Sequence, residues 1–225
     1  IKDSFALRES AKFDVNGREL RIEKLKTKIE LRQPLRFQGI AKQVTISKHA
    51  GKYFASILTE TEDYNPHDVD RQQSVGVDFG IKALAVLSTG KVFSTNQKLK
   101  ASLRQLAKLQ RNLAKKVKGS NRRAKAKLKI QKLHFRIARQ RQALLHEVSD
   151  DLTKTFDVIA VEDLNVKGMV KNRNLSRAIS DAGFGYLRQM IEYKAQLRNC
   201  VVVVANRFFP SSKTCSCCGK IKAEL

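Results

Sequence analysis

Ser74-Val75-Gly76-Val77-Asp78-Phe79-Gly80-Ile81-Lys82-Ala83-Leu84-Ala85-Val86-Leu87-Ser88-Thr89-Gly90 is the stretch that decides the fold. Val75 and Val77 alternate with small residues, and the run ends on Asp78. That period of two is the mark of a β-strand. A short turn over 79–82 leads into a second apolar strand, 83–87, so the stretch predicts a β-hairpin with a carboxylate where its first strand runs out. Gly80 lets the backbone turn close to whatever Asp78 holds. An aspartate that merely opens a turn is the plain alternative.

Working outward, a second strand of the same kind appears at Asp157-Val158-Ile159-Ala160-Val161 and ends on Glu162. Two separate strands thus each deliver an acid at their C-terminal end. Asp163 follows directly, and strand alternation turns its side chain to the other face. Carboxylates brought together in this way form an oxygen-rich site for Mg²⁺. Two such ions can clamp a phosphodiester, one activating water and the other holding the leaving oxygen. The order strand, hairpin strand, helical insert, strand with Glu162, helix, strand is that of an α/β ribonuclease H-like fold. A third carboxylate is expected in such a site, and no obvious one is present.

The charge balance agrees with a polyanionic substrate. The chain of 225 residues carries 45 Lys+Arg against 21 Asp+Glu, a net charge of +24. A surface so charged repels itself and attracts polyanions, nucleic acid first among them. Its apolar content of 42% is enough for a true core and excludes a disordered tail. No apolar run approaches the roughly 18 residues of a membrane span, so no membrane partner is expected. The chain opens on Ile1 without a signal-peptide pattern and is expected to be part of a longer protein.

Residues 1–62 read as short strands of a small β-barrel-like or sandwich domain. Asn16-Gly17 suits a type I′ turn between 13–15 and 19–22, 25–31 alternates as a strand, and a second hairpin turns at His49-Ala50-Gly51. Residues 63–73, with Pro66, read as a linker. From 98 to 145 the pattern becomes helical, with Leu103, Leu106, Leu109 and Leu113, then a break at Gly119-Ser120-Asn121, then Leu128, Leu133 and Ile137. This predicts two long antiparallel helices with 17 Lys/Arg and no Asp or Glu. A solvated helix normally mixes signs to gain i,i+4 pairs, and this one forgoes every such pair. The reading is a phosphate-backbone surface made by Lys108, Arg111, Lys115, Lys116, Arg122, Arg123, Lys125, Lys127, Lys129, Lys132, Arg136 and Arg139.

Residues 167–177 read as a basic loop, 186–197 as a helix and 200–205 as the last strand, with Cys200 as core. Near the C-terminus Cys215 and Cys218 have the C-x-x-C spacing of a metal knuckle, with Cys217 a bystander. One knuckle is half of a structural Zn²⁺ site, which needs four ligands, and a redox pair is the other reading. Thiols used this way suit a reducing compartment.

The stretch Val75-Gly76-Val77-Asp78-Phe79-Gly80-Ile81-Lys82 resembles the first motif of the RuvC-type nuclease domain in the transposon-encoded TnpB proteins. Val158-Ile159-Ala160-Val161-Glu162-Asp163-Leu164-Asn165 resembles the second. Ile179-Ser180-Asp181-Ala182-Gly183-Phe184 and the run from Phe209 to Gly219 resemble the later signatures, the last being half of a zinc ribbon. The resemblance implies a RuvC-like domain over 74–207 with a basic helical insert at 98–150, a wedge-like nucleic-acid-binding domain over 1–62 and a half zinc ribbon over 208–225. It implies an RNA-guided DNA endonuclease in the prokaryotic cytoplasm, on the nucleoid when engaged, with guide RNA and target DNA as partners and one protein per guide RNA. Asp78 and Glu162 would be catalytic ligands of two Mg²⁺ ions, and Cys215 and Cys218 would bind Zn²⁺. A nuclease-inactive, RNA-guided DNA-binding protein is the alternative.

Overall fold

The computed structural model describes residues 4–35, 37–61, 72–95, 97–206 and 220. The expected linker over 63–71 and nearly all of the half ribbon, including Cys215 and Cys218, lie outside them. The chain divides into two compact units, Ile1–Tyr64 with Lys100–Ala138, and Asn65–Leu99 with Arg139–Leu225.

The first unit opens with β1 (Ser4–Leu7), β2 (Phe13–Asn16), β3 (Glu19–Ile22), β4 (Ile29–Glu30), β5 (Ile40–His49) and β6 (Lys52–Glu60). Their ladders form two three-stranded sheets, β1-β5-β6 and β2-β3-β4, antiparallel throughout. Phe13, Leu20, Ile22 and Val44 are the buried centre that both sheets share. Both hairpins lie where turn chemistry puts them, with one shift of position. In the first, Asn16 pairs with Glu19, so Gly17 and Arg18 are the turn residues. Gly17 has a φ of 58° and Arg18 no positive φ, the II′ pattern rather than the I′ turn that Asn-Gly suggests. The I′ pattern falls in the second hairpin, where Ala50 and Gly51 both have positive φ, 52° and 78°. The strand expected over 25–31 shrinks to Ile29–Glu30, and the Leu25 N–H closes a turn by donating to the Ile22 carbonyl at 2.9 Å.

Two helices follow, α1 (Gln97–Ala114) and α2 (Asn121–Thr155). Most of α1 and the first half of α2 belong with the two N-terminal sheets. The Phe135 ring lies 5.2 Å from that of Phe54 in β6, which in turn neighbours His49. Leu106, Ile130, Leu133 and Ile137 are buried, whereas Leu128 is exposed.

The second unit holds β7 (Gln72–Phe79), β8 (Ala83–Leu87), β9 (Val92–Ser94), β10 (Phe156–Glu162) and β11 (Val201–Ala205) in one sheet of order β11-β10-β7-β8-β9. β7, β8 and β9 form an antiparallel meander, while β10 runs parallel to both β7 and β11. The long helical crossover explains the parallel pair, since parallel neighbours cannot be joined by a tight turn. β7 begins at Gln72, inside the stretch expected as linker, and β9 is a strand that periodicity did not show. Between β10 and β11 lie α3 (Val166–Met169), α4 (Ser176–Ala182) and α5 (Phe184–Leu197), so helical turns occupy much of the expected basic loop.

One face of this sheet carries the core. Val75, Val77, Phe79, Ile159 and Val161 pack with Leu145, Val148 and Leu152 of α2 and with Phe184, Leu187 and Ile191 of α5. Gly183, with a φ of 69°, ends α4 and starts α5, a left-handed break that glycine takes without a Cβ clash. Among the described residues, no helix is long and apolar enough to cross a membrane.

Candidate active site

β7 and β10 pair in register through Ile159 with Val75, Ala160 with Gly76, and Val161 with Val77. The next residues along each strand are Asp78 and Glu162. They therefore lie at the same level, at the C-terminal ends of neighbouring parallel strands about 4.8 Å apart. Val77 and Val161 are buried, so alternation turns Asp78 and Glu162 to the opposite face, where Asp78 is exposed and Glu162 half-buried. The structure brings together the two acids that the sequence singled out.

Local features fix each acid. Asp78 pairs with Val86 across the hairpin, and Phe79 with Ala85. The loop closes through the Gly80 N–H, which donates to the Leu84 carbonyl at 3.3 Å. A Cβ on Gly80 would meet the Ala83 carbonyl oxygen at 2.9 Å, so this position suits glycine for space rather than for handedness. Beneath Asp78 on the same face, the Gly76 N–H donates to Ser88 Oγ at 3.0 Å. On the other strand, the Leu164 N–H donates to the Glu162 carbonyl at 3.1 Å, turning the chain directly after Glu162. The Asp163 carboxylate accepts from Arg188 Nη1 of α5 at 3.2 Å, and Arg188 Nε donates to Glu192 at 2.8 Å.

Two carboxylates on one face are hard oxygen donors, and Mg²⁺ commonly takes one or two such groups together with substrate phosphates and water. The pair fits that ion chemically. Among the described residues there is no group of three or more His, Cys, Asp or Glu that could hold a metal.

The twelve cations singled out along 108–139 fall on α1, on the 115–120 loop and on α2. Ten are exposed, while Lys116 and Arg123 are half-buried. Arg123 is tied inside the helix pair, since its Nη1 donates to the Leu113 and Lys116 carbonyls at 3.0 and 2.8 Å. It thereby ties the start of α2 to the carbonyls around the end of α1.

Sequence reading missed a buried polar cluster between α2 and α5. The Lys194 side chain is 7% exposed, and its Nζ donates to Ser149 Oγ at 2.7 Å and to the His146 carbonyl at 3.1 Å. It also lies 3.0 Å from Asp150, which Arg198 approaches at 2.9 Å. Burial lowers the Lys194 pKa against the opposing pull of Asp150. Burial pushes Asp150 up, but the hydrogen bonds and charges of Lys194 and Arg198 outweigh it and leave its carboxyl below the ordinary value. A signal was present: Lys194 continues the apolar stripe of Leu187 and Ile191. Cys200, read as core, is half-buried, and its thiol donates to the Thr153 carbonyl at 3.2 Å.

The chain thus combines paired strand-end acids in an α/β unit with a cationic helical stretch, 97–146, that holds no acid, a charge pattern suited to a polyanion. Comparison with known proteins narrows this. The OrfB_IS605 family model, described as "Probable transposase", matches residues 56–173, and a model described as "Cas12f1-like, TNB domain" matches residues 184–224. A Streptomyces pristinaespiralis protein named "Putative RNA-guided DNA endonuclease" is 39% identical over 183 residues, 81% of this chain and 45% of its own length. A protein of Escherichia coli (strain K12) named "Putative RNA-guided DNA endonuclease InsQ" is 34% identical over 237 residues, 99% of this chain and 58% of its own length. A chain from the solved Cas12f1-sgRNA-target DNA complex aligns with 98% of this chain and 56% of its own, at 15% identity and a TM-score of 0.41. The chain belongs to the OrfB_IS605 family, that of the TnpB proteins. It spans about half the length of the curated relatives it matches.

Proposed function

We propose that this protein is an RNA-guided DNA endonuclease whose RuvC-like, ribonuclease H-like unit hydrolyses phosphodiesters with Mg²⁺. The observation that carries the proposal is the β7–β10 register, which sets Asp78 and Glu162 side by side on one face. The sheet order, an antiparallel meander extended on its β7 edge by two parallel strands, supports a ribonuclease H-like unit. The names of the two bacterial relatives support guidance by RNA and cleavage of DNA.

In this reading Asp78 and Glu162 hold two Mg²⁺ ions. Mg²⁺ held there would supply Lewis-acid polarisation of the scissile phosphodiester and of the attacking water. The β7–β10 register sets the backbones of the two acids at one level, on neighbouring strands. The cationic stretch 98–145 bears on guide or heteroduplex backbone by charge and positions it without reading sequence. Sequence is read by base pairing, and the protein, with its N-terminal sheets acting as a wedge, reads a short flanking motif. One protein serves one guide RNA, and Cys215 and Cys218 contribute half of a structural Zn²⁺ site.

The test is Asp78→Ala in the guide-loaded protein. Loss of a ligand to the Lewis acid should abolish cleavage, with guide and target binding retained. Undiminished cutting removes Asp78 from the mechanism. If the unaltered protein binds guide-matched DNA and leaves it whole, the nuclease-inactive reading replaces this one.

A further inference from the structure

We propose that Arg188 is a positioning residue for Glu162, acting through Asp163. The inference rests on the metal-site reading above and adds a residue to it.

Glu162 is the last residue of β10: the ladder with β7 ends one residue earlier, at Val161 and Val77, and the ladder with β11 ends on Glu162 itself, paired with Ala205. A strand end is where the backbone is freest to rotate, and a rotation there swings successive side chains in opposite senses. Besides the pairing with β11, the following contacts resist it. The Leu164 N–H bonds back to the Glu162 carbonyl, which sets the turn. The Asp163 carboxylate is held by Arg188 Nη1, while Arg188 Nε is held by Glu192 one helical turn further along α5. Asp163 reaches Arg188 of α5, the helix packed on the core face, whereas Glu162 follows buried Val161 in the strand and leaves by the other face, so pinning Asp163 limits the direction that Glu162 takes.

The anchor itself is rigid. Arg188 is half-buried and follows Leu187, which is wholly buried in the core beneath the sheet. Its planar guanidinium is shared between two acids, a geometry that a lysine ammonium reproduces only in part. Outer partners that orient a metal-holding carboxylate typically affect metal affinity by about 10–100-fold, although they never touch the metal.

The test compares Arg188→Gln, Arg188→Lys and Glu162→Ala in the full-length, guide-loaded protein. Two readouts are used: Mn²⁺ binding followed by electron paramagnetic resonance, and the Mg²⁺ concentration that half-saturates cleavage. Arg188→Gln should weaken Mn²⁺ binding and raise the half-saturating Mg²⁺ by about tenfold, with the maximal rate recovered at high Mg²⁺. Arg188→Lys should restore part of the shift. An unchanged metal dependence in folded Arg188→Gln, with Glu162→Ala abolishing binding, overturns the role of Arg188 and leaves the metal site standing. Mn²⁺ binding that survives in Glu162→Ala unchanged instead overturns the metal-site reading, and this inference with it. If Arg188→Gln does not fold, Asp163→Asn serves in its place. It weakens the same contact but leaves the Arg188–Glu192 pair on α5 intact, and the same two outcomes decide.

Discussion

Replacing Asp150 by Asn should cost this protein about 3 kcal/mol of folding stability at neutral pH, and much of that loss should be regained in alkali. The reasoning starts from Lys194, whose side chain is 7% exposed and whose ammonium lies 3.0 Å from Asp150. Removing one partner of a buried ion pair typically costs about 3–5 kcal/mol, because the remaining charge stays buried without compensation. The lower end applies here. Asp150 is itself 36% exposed, and Lys194 keeps Ser149 Oγ and the His146 carbonyl as acceptors. Lys194→Met should be milder, below about 1 kcal/mol, because it removes the buried charge while Asp150 keeps Arg198 at 2.9 Å.

The pH dependence follows from the same contacts. Burial lowers the Lys194 pKa in the folded state, with Asp150 opposing. The unfolded chain therefore holds that proton more tightly, and stability rises as pH climbs from the folded pKa toward the ordinary lysine value. Without the Asp150 charge the folded pKa falls further and that window opens at lower pH. The deficit of Asp150→Asn should therefore shrink between pH 7 and about pH 9.5 as Lys194 sheds its proton. The Asp150 carboxyl, depressed overall although burial opposes, contributes stability above the ordinary carboxylate range and loses it as pH falls through its folded value. Urea unfolding followed by far-ultraviolet circular dichroism at both pH values measures this. A deficit of equal size at both, matched by Lys194→Met, would refute the argument.

Ala50→Gly should stabilise the first unit by about 1 kcal/mol, because Ala50 sits at a φ of 52° in the β5–β6 turn; urea midpoints of the two proteins check it. Lys125, Lys129 and Lys132 are exposed along α2. Changing all three to Gln should weaken guide RNA binding and flatten the slope of log affinity against log salt by about 2–3, measured by filter binding at several salt concentrations. An unchanged slope means that these lysines do not touch phosphate.

Much of the site was legible in the chain. The alternation in 74–78 and 157–162 and the break at 119–121 are local patterns. A strand's period of two or a helix's 3.6 shows wherever a few neighbouring residues choose between core and solvent. The acid at each strand end was visible for that reason, as was the long run of cations without acids. The turn in the first hairpin was found but misplaced by one residue, since Asn16-Gly17-Arg18 offers two registers and only pairing with β3 chooses between them.

What the sequence by itself determined is therefore the inventory: two strands ending in acids, a cationic helix pair and a basic surface. Only the tertiary structure decided that β10 lies parallel beside β7, that both acids leave the same face, and that Asp163 is held from α5. It also decided that a lysine at position 194 is buried. The physical reason is that these are pairings between residues far apart in the chain. Their choice depends on which whole surfaces can close over one core, and no window of neighbouring residues contains that information.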